Sequence, residues 1–177
     1  MGNDFEAYIQ QLELMGFFTG YAVIYAIVHF IAGEQRKKTN SFIISLVKLL
    51  PYAYALTGTL FLGMVLKNIS IDISVQNIAD QFQNPYLKIW GLLSVLFWIP
   101  ALCKKPVFSL LHSLVFFFFL IKDLYLQINH SIGKEIIRND MKIFTDSLLL
   151  NAATLALVVI SFYLLRRIRK NSNSVVN

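Results

Sequence analysis

The sequence predicts an all-α integral membrane protein, a single membrane domain of residues 1–177 built as a bundle of five transmembrane helices. Three observations support this fold class. Hydrophobic residues make up 56% of the 177 residues, which is more than a soluble domain carries. They are collected into blocks of about 20 residues, the length that a helix needs to cross a bilayer. The 16 basic residues cluster beside these blocks, as they do at membrane boundaries.

The first predicted span covers residues 14–33 and follows a short amphipathic segment. In residues 3–13 the apolar side chains have the spacing of one helical face, which predicts a helix lying on the outer membrane surface. The basic run at residues 34–38 marks the other end of the span. Within the span, Gly16 and Gly20 form a small-xxx-small pattern, which favours close helix packing.

The second predicted span covers residues 42–66, and Pro51 should bend it because proline removes a backbone hydrogen bond. The following segment, residues 68–84, changes character along its length. It begins with the alternating, strand-like period of Ile69 and Ile71 and then takes up helical spacing. We expect this segment to lie along the outer surface, with its apolar side chains turned to lipid or protein.

Spans three and four are predicted at residues 85–103 and 106–126, joined by a connection that is too short to do more than reverse direction. The two helices should therefore be antiparallel neighbours. In lipid each must be helical, since every backbone N–H and C=O has to be satisfied within the chain. Span three is barely long enough to cross and carries Pro100 near its end.

The last predicted span covers residues 147–165. Before it, residues 127–146 have apolar side chains spaced for a second surface helix on the outer side. After it comes a polar tail, residues 171–177, which we expect to be disordered. Asn151 and Thr154 lie three residues apart within the span and could hydrogen-bond across helices, a common form of packing in membrane bundles.

Charge distribution predicts the orientation. When five spans alternate, the basic clusters at residues 36–38, 104–105 and 166–170 all fall on one side. The acidic residues are concentrated on the other side. The positive-inside rule then predicts a multi-pass protein of the cell membrane with its N-terminus outside and its C-terminus in the cytosol.

Three ionisable residues inside the predicted spans form the candidate ligand site: His29, Lys48 and His112. Placing an ionisable side chain in a membrane costs free energy, so such residues are candidates for a functional role. Each lies within about 6–10 Å of the predicted cytosolic boundary, at 1.5 Å per residue. Together they could form one cytosol-side pocket that attracts an anion. The alternative is structural: Lys48 can extend to the interface, and each histidine can bond a carbonyl or hydroxyl.

The sequence favours a non-catalytic membrane subunit or accessory factor that binds other membrane proteins, or a second copy of itself, within the lipid bilayer. It contains no zinc-protease, nucleophile-elbow or phosphate-loop motif. With Cys103 its single cysteine, no cysteine-based metal site is expected, and we expect no cofactor and no nucleic-acid partner. The main alternative is a small transporter or channel that uses the predicted pocket. An intramembrane enzyme built on the histidines is a third possibility.

Overall fold

The computed structural model describes residues 2–35, 41–71, 85–129 and 134–175. Apart from Ile99 and the turn at residues 104–105, these residues are helical, and no strand occurs among them. In chain order the elements are α1 (Gly2–Gln35), α2 (Ser41–Ile71), α3 (Pro85–Leu93), a 3₁₀ segment (Ser94–Trp98), α4 (Pro100–Cys103), α5 (Pro106–Asn129) and α6 (Lys134–Val175). The prediction of an all-α fold is confirmed for these residues.

Four of the described helices are long and apolar enough to cross a membrane. They comprise Gln11–Gly33 in α1, Phe42–Ser70 in α2, Pro106–Tyr125 in α5 and Met141–Arg169 in α6. Each contains or closely matches a span predicted from the sequence. The chain is therefore consistent with a multi-pass membrane protein.

The third predicted span, residues 85–103, is not one continuous helix, and this corrects the sequence prediction. Its apolar helical stretch, Pro85–Trp98, is shorter than a helix that crosses a membrane, unlike the other four. The backbone becomes extended at Ile99 (φ −71°, ψ 124°) before helix resumes at Pro100. Proline explains the break, because its ring disfavours the α conformation in the residue before it. Five helices of spanning length are thus not present among the described residues.

The predicted surface helices are also not separate elements where the structure describes them. α1 runs without a break through the predicted surface segment at residues 3–13, and α6 likewise joins residues 134–146 to the fifth span. Ile69 and Ile71 lie in the last turns of α2, so the strand-like reading of these two residues is wrong. Extending an existing helix adds one hydrogen bond for each residue fixed, which favours continuation over a new element.

Parts of three predictions fall outside the described residues. These are residues 72–84 of the outer segment, residues 130–133 of the second surface helix, and the last two residues of the tail. The helix α6 extends to Val175, into the stretch predicted as a disordered tail.

We call "inner" the end of the bundle where α1 ends and α2 begins, and "outer" the opposite end. α1 and α6 run parallel, because Gly20 contacts Ser147 while Gly16, one turn earlier, lies nearest to Ile143. α2 and α5 run antiparallel to α1. Phe18 of α1 lies at the centre of the bundle, fully buried against aromatic rings of both α2 and α5.

Two glycines allow the closest helix contacts. A Cβ atom added to Gly20 would lie 2.5 Å from the carbonyl carbon of Ser147, and one added to Gly58 of α2 would overlap the Ser94 side chain. Neither contact is possible for a real side chain. α1 therefore touches α6, and α2 touches the 3₁₀ segment, at backbone distance.

Candidate functional site

The last helix packs closely on the bundle at its outer half and only loosely at its inner half, where Tyr163 stacks on Phe42 of α2 with ring centroids 5.9 Å apart. Only 11% of the most apolar stretch of α6 is buried, compared with 50% for α1 and 56% for α2. Between α6 and the α1–α2 pair lies a gap of about 340 Å³ lined wholly by aliphatic side chains, among them Val28, Leu46 and Val159. The inner half of α6, residues 157–169, is therefore the least supported apolar helix segment in the described structure.

A small group of polar side chains hydrogen-bonds the outer half of α6 to α1 and α2. Asn151 is 2% exposed, and its Nδ2 donates to the carbonyl oxygen of Phe17 at 2.8 Å. The Thr57 hydroxyl of α2 lies 3.3 Å from Asn151 Oδ1 and 3.2 Å from the Thr154 hydroxyl. The residues that the sequence suggested for helix packing, Gly20, Asn151 and Thr154, thus lie at the contact of α6 with α1 and α2. Gly16 leaves more room, with its nearest neighbour, Ile143, 3.8 Å from an added Cβ.

An open cleft of about 560 Å³ lies between α2 and α6. We call it the α2/α6 cleft. Its lining is mostly apolar, with Lys48 as its one charged residue. The lining residues are Ser45, Lys48, Leu49, Tyr52, Leu56, Trp98, Leu157, Val158, Ser161, Phe162 and Leu165.

Trp98 forms a fixed wall of this cleft. Its indole Nε1 donates to the Thr59 hydroxyl of α2 at 2.9 Å, and its ring centroid lies 6.2 Å from that of Tyr52. Trp98 closes the 3₁₀ segment, just before the break at Ile99. The break in the third predicted span therefore determines where one side of the α2/α6 cleft lies.

A second groove, of about 360 Å³, brings together two of the three predicted site residues. His29 of α1 and Lys48 of α2 both line it, with Ala32, Gly33, Ile44 and Val47. The His29 ring stacks on Tyr25 with centroids 4.3 Å apart, and its Nε2 is buried without a hydrogen-bond partner among the described residues. Lys48 lines both this α1/α2 groove and the α2/α6 cleft.

His112, the third predicted site residue, lies elsewhere. Its Nδ1 is 2.6 Å from the Tyr54 hydroxyl, and its ring stacks on Trp90 with centroids 4.7 Å apart and an interplanar angle of 6°. Tyr54 is six residues beyond Lys48, about 9 Å further along the α2 axis. Depth counted from the sequence placed the three residues at one level. The structure pairs His29 with Lys48 and places His112 among the aromatic rings of the core, beside Tyr54 and Phe116.

The sequence analysis did not predict that Lys88, an ionisable residue at the outer end, is buried. Lys88 of α3 is 1% exposed, and it interacts electrostatically with Glu13 of α1. Two residues before Glu13 in α1, Gln11 Nε2 donates to the Asp123 carboxylate of α5 at 2.6 Å. The signal for Lys88 was its position inside the first turns of an apolar helix, rather than in the preceding loop.

Within the part of the chain that the structure describes, no three His, Cys, Asp or Glu side chains are grouped so that they could hold a metal ion. Comparisons of the chain with protein families, with curated proteins and with solved structures find no match. The geometry of α6 and of the two grooves is therefore the basis for a functional proposal.

Proposed function

We propose that this chain is a non-catalytic, multi-pass membrane subunit that binds a partner membrane protein through the inner half of α6. The observation that carries the proposal is the exposure of that helix segment. Leu157, Ile160 and Leu164 are each 55% exposed, and Ile168 is 65% exposed. A partner helix packed along this ridge would cover it in the way that α1 covers the outer half.

The use of polar groups within the bundle also supports a structural role. Buried hydroxyl and amide groups at Thr57, Asn151 and Thr154 bond to one another and to the backbone of neighbouring helices. Such bonds hold membrane helices together. Groups that are already engaged in packing are poorly suited to passing a substrate from one to the next.

The proposed orientation is N-terminus outside and C-terminus in the cytosol. Parallel α1 and α6 fit this arrangement, because both then cross in the same direction. The broken α3–α4 segment, followed by α5, completes five crossings. The turn with Lys104 and Lys105, which faces the inner side of the bundle, and the arginines at the end of α6 then lie towards the cytosol, as the positive-inside rule requires.

The partner should match α6 in chemistry. Its binding face should be apolar along the ridge and should carry acidic groups just beyond the membrane, opposite the exposed Arg166, Arg167 and Arg169. Small residues on the partner helix would allow the close approach that drives helix association in lipid.

Site-specific photo-crosslinking in native membranes tests this function. A photoreactive side chain at Ile160 or Leu164 should give one discrete adduct with another membrane protein. The matched control is Phe118, which is 64% exposed on α5. We expect only lipid adducts there. Adducts to lipid alone at all three positions would contradict the proposal, and a second, differently tagged copy of the chain in the adduct would identify the partner as itself.

A small transporter or channel is the second candidate function, favoured by the position of Lys48 at both grooves. An anion entering either groove would meet the same charge. Anion flux into liposomes that contain the purified chain tests this candidate. Flux should exceed that of empty liposomes and fall in Lys48→Met, whereas Lys67→Met, at the exposed outer end of α2, should leave it unchanged. Flux equal to that of empty liposomes would exclude transport of the anion used.

A further inference from the structure

We infer that the α2/α6 cleft binds a membrane phospholipid with an anionic headgroup, its acyl chain lying between α2 and α6 and its headgroup at Lys48. This goes beyond the proposed function, since it concerns a lipid rather than a partner protein. On α6 the cleft is lined by Leu157, Val158, Ser161, Phe162 and Leu165. Leu157 is shared with the ridge proposed for a partner, whereas Ile160, Leu164 and Ile168 do not line the cleft.

The length of the cleft fits one leaflet of a bilayer. Along α2 its lining runs from Ser45 to Leu56, eleven positions further on, or about 16 Å at the helical rise. Half of a hydrocarbon core of about 30 Å is nearly the same length. An acyl chain lying in the cleft would therefore reach from the inner boundary close to the midplane, where Trp98 and Leu56 end the lining.

The polar groups of the cleft are concentrated where a headgroup would lie. Lys48 and the hydroxyl-bearing Ser45 lie in the inner part of the α2 lining, and Ser161 lies midway along the α6 lining, while the lining beyond Tyr52 is apolar. Arg169 follows Leu165 by four residues, which places it one turn further on the same face of α6. Two cationic residues thus flank the inner end. They favour an anionic headgroup over a zwitterionic one.

The cleft opens to the side, which allows a lipid to enter from the bilayer. Its wall residues are partly exposed: Trp98 by 45%, Leu157 by 55% and Leu165 by 67%. A volume of about 560 Å³ lies within the range of sites for small organic molecules and can hold one chain with part of a headgroup. The same opening makes the cleft a poor container for a small soluble anion, which would have no apolar part to fill it.

Native mass spectrometry of the purified protein in mild detergent, titrated with phosphatidylglycerol or phosphatidylcholine, tests the inference. We expect phosphatidylglycerol to bind wild-type protein with one preferred site and phosphatidylcholine to bind it more weakly. Lys48→Met should weaken phosphatidylglycerol binding about five-fold, the loss expected for one basic residue near a membrane surface. Lys67→Met, the matched control at the outer end of α2, should bind as wild type does.

Two further measurements distinguish the contribution of the acyl chain to lipid binding from that of the headgroup charge. Ser161→Phe should fill the cleft and reduce binding of both lipids, with the helical circular dichroism unchanged as a check of folding. Glycerol phosphate, which has the headgroup chemistry without a chain, should not raise the melting temperature. Equal binding of the two lipids, equal binding by wild type and Lys48→Met, or stabilisation by glycerol phosphate as strong as by the lipid would each overturn the inference.

Discussion

The backbone N–H of Gly20 lies 2.9 Å from the hydroxyl oxygen of Ser147 and donates a hydrogen bond to it. A mid-helix backbone group on α1 thus bonds a side chain on α6, more than 120 residues later in the chain. Such a bond needs the two helices to approach at backbone distance, which only a residue without a side chain permits. This contact sets the register of the first and last helices.

Gly20→Ala should therefore destabilise the protein. The added Cβ would lie 2.5 Å from the backbone of Ser147, so the helices must move apart. Overpacking of this kind costs about 1–3 kcal/mol. Gly16→Ala is the matched control, because its Cβ meets nothing closer than 3.8 Å and gains the same helix propensity. Thermal unfolding in mild detergent, followed by circular dichroism, should show a lower melting temperature for Gly20→Ala only; equal melting temperatures would contradict the proposed contact.

Asn151→Leu should also lower stability, by about 1 kcal/mol, a typical value for a polar contact between membrane helices. Leucine is of similar size but removes the bond to Phe17 O and the contact with the Thr57 hydroxyl. Thr145→Val serves as control, since the Thr145 hydroxyl is exposed and bonds only to its own helix at Met141 O. Denaturant titration of the purified variants measures the difference. A variant at 151 as stable as the control would show that these bonds do not hold α6.

Tyr54→Phe should destabilise the aromatic cluster around His112. The buried Tyr54 hydroxyl is 2.6 Å from the imidazole Nδ1, and its loss leaves that nitrogen without a partner, at a cost of about 1 kcal/mol or more. Because the His112 ring stacks on Trp90, the fluorescence of Trp90 should change as well. A Trp98→Phe background isolates this signal, as the chain has two tryptophans. Tyr125→Phe, at a side chain 65% exposed, should change neither quantity.

A topology reporter tests the proposed orientation. An enzyme that is active only outside the cytosol should be silent when fused after Lys170 and active when fused after Lys67, at the outer end of α2. The reason is the concentration of Lys and Arg at the inner end. Strong activity after Lys170 would reverse the assignment.

Much of the fold could be predicted from composition along the chain. The predicted boundary at residue 42 coincides with the start of the α2 span at Phe42, and that at residue 106 coincides with the start of α5. Both follow from the length of apolar stretches, which the bilayer sets. The break at Ile99 was harder to predict, because proline is also tolerated inside membrane helices, as Pro51 is in α2.

The site could be predicted only in part, because counting residues gives depth but not helix rotation or relative height. His29 and Lys48 lie near the facing ends of α1 and α2, so their proximity followed from the chain itself. The depth of His112 in the membrane was counted from the turn at residues 104–105. This assumed that the turn lies at the same depth as the ends of α1 and α2. The actual neighbour of His112 on α2 is Tyr54, which shows that this assumption was wrong for α5.

The mass of the complex extracted from native membranes tests the central proposal, that the inner half of α6 binds a partner membrane protein. Native mass spectrometry in mild detergent should find the wild-type chain with a second, different membrane polypeptide in a fixed ratio. Ile160→Trp with Leu164→Trp, which keeps the ridge apolar but changes its shape, should release the partner, while Phe118→Trp on α5 should retain it. A wild-type chain that extracts as a single folded polypeptide, or a complex unchanged by the two α6 substitutions, would contradict the proposal.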